Sequence, residues 1–196
     1  MGENGKKLQI LQIGVDSLPL DTRRWNGARL TRVDVSIDRD PDWPEDPRRL
    51  PGDLGTYDVV FTSHVLQWVP RTEIIQTLKH WVTFLKPGGE MHVIVPDLSW
   101  AADEIAANRS VDKLVLGVIF GTQHNTWAFH RTGFTTDLLR TALFAAGLET
   151  RACRLGPYKI TSVGGDGQVR ELVARQIYAV AVKPHQEEDG NARDEE

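Results

Sequence analysis

Cysteine is nearly missing from this chain. Cys153 stands alone among 196 residues, so no internal disulfide can form. Long apolar runs are missing too, and none reaches the roughly 18 residues that would suggest a membrane-spanning helix. The opening MGENGKKLQILQIG has neither a long apolar segment nor a small-residue cleavage site, so it does not read as a secretory leader. These absences make a cytoplasmic location the expectation. The lone cysteine rules out a Cys-rich zinc pattern, and no histidines stand at HExxH spacing, so no metal is expected. A GKS or GKT phosphate loop is absent, as is a GxSxG nucleophile elbow.

A surplus of one charge is also missing from the body of the chain. The net charge is −4, but residues 185–196 carry six carboxylates against Arg193, a contribution of −5 that leaves the remainder at +1. No strongly basic face is expected, and so no nucleic-acid partner. The length suits a single domain with a substantial core. Residues 1–7 are expected to be a disordered N-terminus, 8–183 the domain and 184–196 a disordered acidic tail.

What is present is a strand–helix–strand unit over Tyr57–Trp100. Val59, Val60 and Phe61 suit a strand buried on both faces. Ile74, Leu78, Trp81, Val82 and Leu85 repeat at helical spacing. Pro87 is expected to stop that helix, with Gly88 and Gly89 supplying positive-φ positions for the return into a strand over Met91–Val95. A unit of this length implies parallel strands and a right-handed crossover, with ligands beyond the carboxyl ends of the strands. Thr62, Ser63 and His64 follow one strand and Pro96, Asp97 and Ser99 the other, so polar residues gather where a site belongs.

Around that unit, Leu8–Ile13 and Leu30–Ile37 read as strands and Asp38–Gly55, with four prolines, as a long loop. Ser110–Gly121 reads as a helix. A second helix is capped by Thr135, ends at Gly147, and has Phe134 and Leu139 at the spacing of a hydrophobic staple. Thr150–Leu155 and Gln176–Val182 read as closing strands, joined by a Gly164–Gly167 turn and a short helix around Val169–Ala174.

SHVLQW, then FLKPGGEMHVIVPD, then IFGTQ and FHRTGFTTDLLRTALFAAGL, are similar to the second half of the class I S-adenosylmethionine-dependent methyltransferases. The nearest resemblance is to small bacterial proteins of the methyltransferase type 11 kind, often associated with cell-surface sugars. The resemblance implies an α/β fold with a doubly wound, mostly parallel Rossmann-like sheet, shortened here between the second and fourth strands. It implies S-adenosylmethionine as cofactor and methyl transfer to a small-molecule or carbohydrate-like acceptor.

Carried over residue by residue, the resemblance assigns Gly14, Asp34, Asp46 and Ser63 to the cofactor, with Asp38 as the alternative to Asp34, and Asp16 is placed with them because its carboxylate suits the cofactor's ammonium group. His130 is the preferred base and His64 the second, while Arg131, Gln123 and Trp127 fall on the substrate side. A carboxylate after the second strand suits ribose because it has acceptors only. Histidine suits proton transfer near neutral pH. The chain departs from the family at Asp16 and Leu18, where glycines are usual, and at Gln67 and Trp68, where a Glu-His pair is usual. These departures keep a second expectation open: a degenerate methyltransferase fold serving as a binding or scaffold module, with a protein partner.

Overall fold

A computed structural model describes residues 7–15, 25, 27–108, 111–163 and 169–185. Asp16, Leu18, the segment of the expected Gly164–Gly167 turn, residues 1–6 and those beyond 185 lie outside the described residues. The chain order is β1 (Gln9–Ile13), β2 (Arg29–Val33), β3 (Tyr57–Ser63), α1 (Ile74–Phe84), β4 (Leu85–Pro96), α2 (Leu98–Asn108), α3 (Lys113–Phe120), α4 (Thr136–Ala145), β5 (Glu149–Val163) and β6 (Val169–Val182). The strands form one six-stranded sheet in the order β2-β1-β3-β4-β6-β5. The first four are parallel, and β6 runs antiparallel to both β4 and β5. This is the mostly parallel α/β sheet expected from the sequence.

Alternation along the strands decides which side is covered. Leu11, Ile13, Val60, Met91, Val93, Val95, Ile177 and Ala179 point to one face, where they pack with Ile74, Leu78, Trp81 and Phe84 of α1 and with Leu139 and Leu143 of α4. Ile10, Val59 and His92 are buried on the other face, and Trp25 meets the His92 ring edge-on at 5.6 Å.

Helix α1 ends at Phe84, earlier than Pro87 alone suggested. Leu85 is already extended and pairs with Tyr57, and the register then jumps so that Val59 pairs with Glu90. The KPGG segment therefore bulges from β4 rather than forming a turn before it. Only Gly88 of the two glycines takes a positive φ, at 75°. Lys183 supplies the missing termination signal: its Nζ donates to the carbonyls of Val82 (3.1 Å) and Leu85 (2.7 Å).

The expected loop over 38–55 retains one trace of a further strand. Trp43 bridges Val33 in parallel, with Trp43 N–H donating to Arg32 O at 3.0 Å and Asp34 N–H to Trp43 O at 3.2 Å. Strand β2 stops at Val33, short of the expected Ile37, because the chain turns into a 3-10 segment at Ile37–Arg39. Helix α3 starts at Lys113 because Asp112 caps it through the Val115 N–H at 2.8 Å. Helix α2 was not expected at all. The expected helix around Val169–Ala174 is instead strand, paired in register with β5 from Val163–Val169 to Pro157–Arg175.

Thr135 caps α4 as expected, its Oγ accepting from Leu138 N–H at 3.2 Å, and Gly147 follows the helix with φ 87°. Thr135→Ala should cost about 1 kcal/mol, a drop of roughly 2–4 °C in melting temperature for a chain of this size. Thermal unfolding followed by circular dichroism checks this, with an unchanged midpoint counting against the cap.

Candidate functional site

The parallel strands β1, β2 and β3 end side by side, and a cavity of about 330 Å³ opens above them. Gly14, Val15, Asp34, Val35, Ser36, Arg39, Ser63, His64 and Val65 form its floor and near wall, and Trp68, His124, Asn125, Trp127 and Ala128 line the rest. Gly14 has φ 82° and donates to Val33 O at 2.8 Å. A Cβ there would lie 2.2 Å from Cγ2 of the buried Val65, so both backbone and space demand glycine. Asp34 is buried, its two carboxylate oxygens accepting from the N–H groups of Val15 and Ser36, both at 2.8 Å. Arg39 lies 4.0 Å from the same carboxylate and also donates to Val15 O. Asp34 thus ties the ends of β1 and β2 together at the cavity floor.

His64 stands beyond β3 with φ 54°, a conformation a non-glycine residue adopts at a cost. It is held on three sides. Its N–H donates to Ile94 O at 2.9 Å, its Nε2 bonds Gln176 Oε1 at 3.1 Å, and its ring stacks on Tyr158 at 4.2 Å. Gln176 and Tyr158 belong to the β5–β6 hairpin, which continues past the last β4 pair at Pro96–Gln176.

His64 also borders a second cavity of about 390 Å³, and Trp68, His124 and Ala128 are shared by the two. Its other walls include Gln67, Leu114, Val118, Gly121, His130, Tyr158 and Leu172. His130 Nδ1 lies 2.9 Å from Val118 O. A carbonyl has no proton to give, so Nδ1 carries the hydrogen and Nε2 keeps its lone pair. Burial pushes the imidazole below its ordinary value, the Val118 carbonyl pulls it part-way back up and neighbouring His64 lowers it further. His130 is therefore a neutral acceptor at neutral pH. Gln67 is 2% exposed, and its backbone carbonyl accepts from Arg131 N–H (2.8 Å) and Thr132 N–H (3.1 Å).

No family model matches the chain. A trans-aconitate 2-methyltransferase from Rhodopseudomonas palustris is 38% identical over 95 residues, covering 42% of this chain and 35% of that protein. The chain thus spans about a third of that relative's length. An S-adenosylmethionine-dependent methyltransferase from Methanosarcina mazei superimposes with a TM-score of 0.62 at 16% identity, over 92% of this chain and 94% of the other. The chain has the class I methyltransferase fold. The 1,6-didemethyltoxoflavin-N1-methyltransferase of Burkholderia thailandensis, solved with 1,6-didemethyltoxoflavin and S-adenosylhomocysteine, also shares that fold, with a TM-score of 0.54 at 15% identity over 92% and 72% of the two chains.

On this class I fold the residues singled out from sequence separate into groups. Gly14, Asp34, Ser63, His64 and Trp127 come together at the first cavity, and His64 and His130 at the second. Asp46 does not line the first cavity. Its carboxylate is held by Arg48, whose Nη2 lies 2.6 Å away and whose Nη1 reaches Glu73 at 3.2 Å. Burial raises the Asp46 carboxyl, but the Arg48 contacts outweigh this and hold it below its ordinary value. Asp38 is exposed on the 3-10 turn and does not line the cavity. Arg131 and Gln123 lie with Phe129 along a shallow surface groove that only His130 shares with the second cavity. Arg39, Gln67, Tyr158 and Gln176 were not anticipated at the site. Tyr158 reaches it only because β5 runs beyond the expected Leu155, whereas Gln176 falls on the closing strand as expected.

Gly14→Ala should destabilise the fold by at least about 1–2 kcal/mol from the positive φ alone, with the Val65 overlap adding to it. Urea unfolding measures this, and a midpoint equal to wild type would contradict the geometry.

Proposed function

We propose that this chain transfers a methyl group from S-adenosylmethionine, held in the first cavity, to a small-molecule or carbohydrate-like acceptor held in the second. The observation that carries the reading is that the two cavities meet at His64 and Trp68. Methyl donor and acceptor must lie within contact of each other for an in-line displacement, so two adjoining cavities are what the reaction needs.

The first cavity's lining fits this cofactor. Each Asp34 oxygen accepts one backbone N–H and keeps a further lone pair for ribose hydroxyls. The indoles of Trp68 and Trp127 and the side chain of Val35 offer apolar surface to a purine. When bound, the cofactor supplies a sulfonium methyl with its leaving group already attached. The chain's own part is to orient the two molecules, exclude water and accept a proton. Tyr158 and Trp68 wall the junction, and His130 Nε2 is the proton acceptor.

Calorimetry with S-adenosylhomocysteine tests the reading. Wild type should bind, and Asp34→Ala should bind about ten-fold or more weakly, through loss of charged hydrogen bonds worth roughly 1.5–3 kcal/mol. Asp38→Ala should leave affinity unchanged. A binding module without catalysis is the second reading, favoured by the demand that Val15, Ser36 and Arg39 already make on Asp34. No heat from wild type at millimolar ligand would support that reading and overturn the first.

The pH profile separates the two histidines. Because the His130 imidazole lies below 6.5, it stays unprotonated on acidification past that value. The acid limb of kcat/KM should therefore fall below 6.5 and vanish in His130→Asn, which keeps a donor for Val118 O but no base. The same shift has a stability consequence. The unfolded chain takes up the proton first, so stability falls as pH drops from 6.5 through the lower folded value.

A further inference from the structure

Lys113 carries the second cavity's one permanent charge. It opens α3 and lines the cavity, and no aspartate, glutamate or arginine does. Its exposed side chain makes no ion pair or hydrogen bond among the described residues. The neighbouring Asp112 does not answer it from the cavity wall. That carboxylate caps α3 through the Val115 N–H at 2.8 Å and is not part of the lining. An ammonium facing a cavity without a carboxylate favours an anionic guest and repels a cationic one. Trp68, Leu114, Val118, Tyr158 and Leu172 form much of the remaining wall, which suits an apolar or ring-shaped body. His130 Nε2, the proton acceptor of the proposed reaction, belongs to the same cavity, its ring pinned to Val118 O. At the rise of an α-helix, Val118 lies about 7.5 Å along the axis from Lys113. The proton acceptor and the ammonium are therefore anchored far enough apart to engage opposite ends of a ring.

We infer that the acceptor is a hydroxy acid, its hydroxyl methylated beside His130 and its carboxylate paired with Lys113. This rests on the proposed methyl transfer and narrows its substrate class. A single lysine matches the single charge of a carboxylate better than the double charge of a phosphate. A carboxylate as the nucleophile would give His130 Nε2 no proton to accept, so the hydroxyl is the reacting group. In the step, the hydroxyl oxygen bonds to the methyl carbon as its proton passes to His130 Nε2. The carbon–sulfur bond breaks with its electron pair on sulfur, leaving a neutral thioether and a methyl ether. The imidazolium then loses its proton to solvent. Lys113 is a specificity residue in this scheme, since it contacts the group that does not react.

The test uses two probe pairs, 4-hydroxybenzoate with 4-hydroxybenzamide and glucuronate with glucose. Each pair changes the charge while keeping the ring and its hydroxyl. Binding to the full chain is read by saturation-transfer NMR, with and without S-adenosylhomocysteine. Wild type should bind the acid of at least one pair about five-fold more tightly than its neutral partner, the size expected of one partly exposed ion pair. The pair that responds sorts aryl from sugar acceptors. The preference should shrink towards one at high salt, because an exposed pair is screened. Lys113→Gln should abolish it while leaving the neutral probe within two-fold and the melting temperature unchanged, and Lys113→Arg should retain it. Wild type that binds acid and neutral probe alike, or neither acid, overturns the inference. So does a Lys113→Gln protein that keeps the preference. Absence of S-adenosylhomocysteine binding would overturn the methyl-transfer reading instead. Lys113 does not line the first cavity, so calorimetry on the same samples tells the two failures apart.

Discussion

Asp97 sits at the end of β4 with 1% of its surface exposed, and a buried carboxylate has to be answered by donors. It is answered by Arg175 Nε at 2.5 Å and by Ser99 N–H at 2.9 Å, while its own N–H donates to Arg175 O at 3.0 Å. Arg175 also reaches Asp103 on α2 at 3.4 Å, and its pairing with Asp97 holds its charge more firmly than in water. Removing one member of such a pair strands the other, a cost of about 3–5 kcal/mol. This contact fixes the point where the hairpin leaves the sheet and projects over the strand ends. Ala174 and Tyr158 of that projection pack with Ala101 of α2 and Val115 and Val118 of α3 in a second core. Tyr158, Gln176 and Leu172 then face the site.

The two halves of the site therefore rest on two carboxylates with different duties. Asp34 gathers backbone N–H groups where parallel strands end, which shapes a surface for polar hydroxyls. Asp97 is neutralised by its arginine, and at 1% exposure it lines neither cavity and presents no surface to a ligand. Both lie after a strand in the chain and both looked like site residues in the sequence. Burial and partners, which the sequence does not reveal, separate the ligand-facing carboxylate from the structural one.

Much of the fold was legible because its strands are short apolar runs and because α1 and α4 each bury one stripe. Helix α2 was not, since the apolar stripe of LSWAADEIAAN is thin, with only Ala101 fully buried and Trp100 and Ile105 partly so. The hairpin was misread because Val169, Leu172 and Val173 fall at helical spacing, and pairing with β5 rather than local preference makes the segment strand. At the site, Gly14, Asp34 and His130 could be placed because each follows or precedes a recognisable element. Asp46 looked equivalent by position, but two residues later Arg48 claims its carboxylate. Gln67 read as the loss of a charged family residue, whereas the structure buries it and uses its backbone carbonyl to hold the N–H groups of Arg131 and Thr132.

The central claim is that the cavity above β1, β2 and β3 receives the cofactor. The indole N–H signals of the six tryptophans offer a direct measurement in a single ¹⁵N spectrum. Trp68 and Trp127 line that cavity, whereas Trp100 packs into the second core. Adding S-adenosylhomocysteine should move the signals of Trp68 and Trp127 and leave Trp100 in place. Trp68 and Trp127 unmoved at millimolar ligand, or shifts confined to Trp100, would contradict the account.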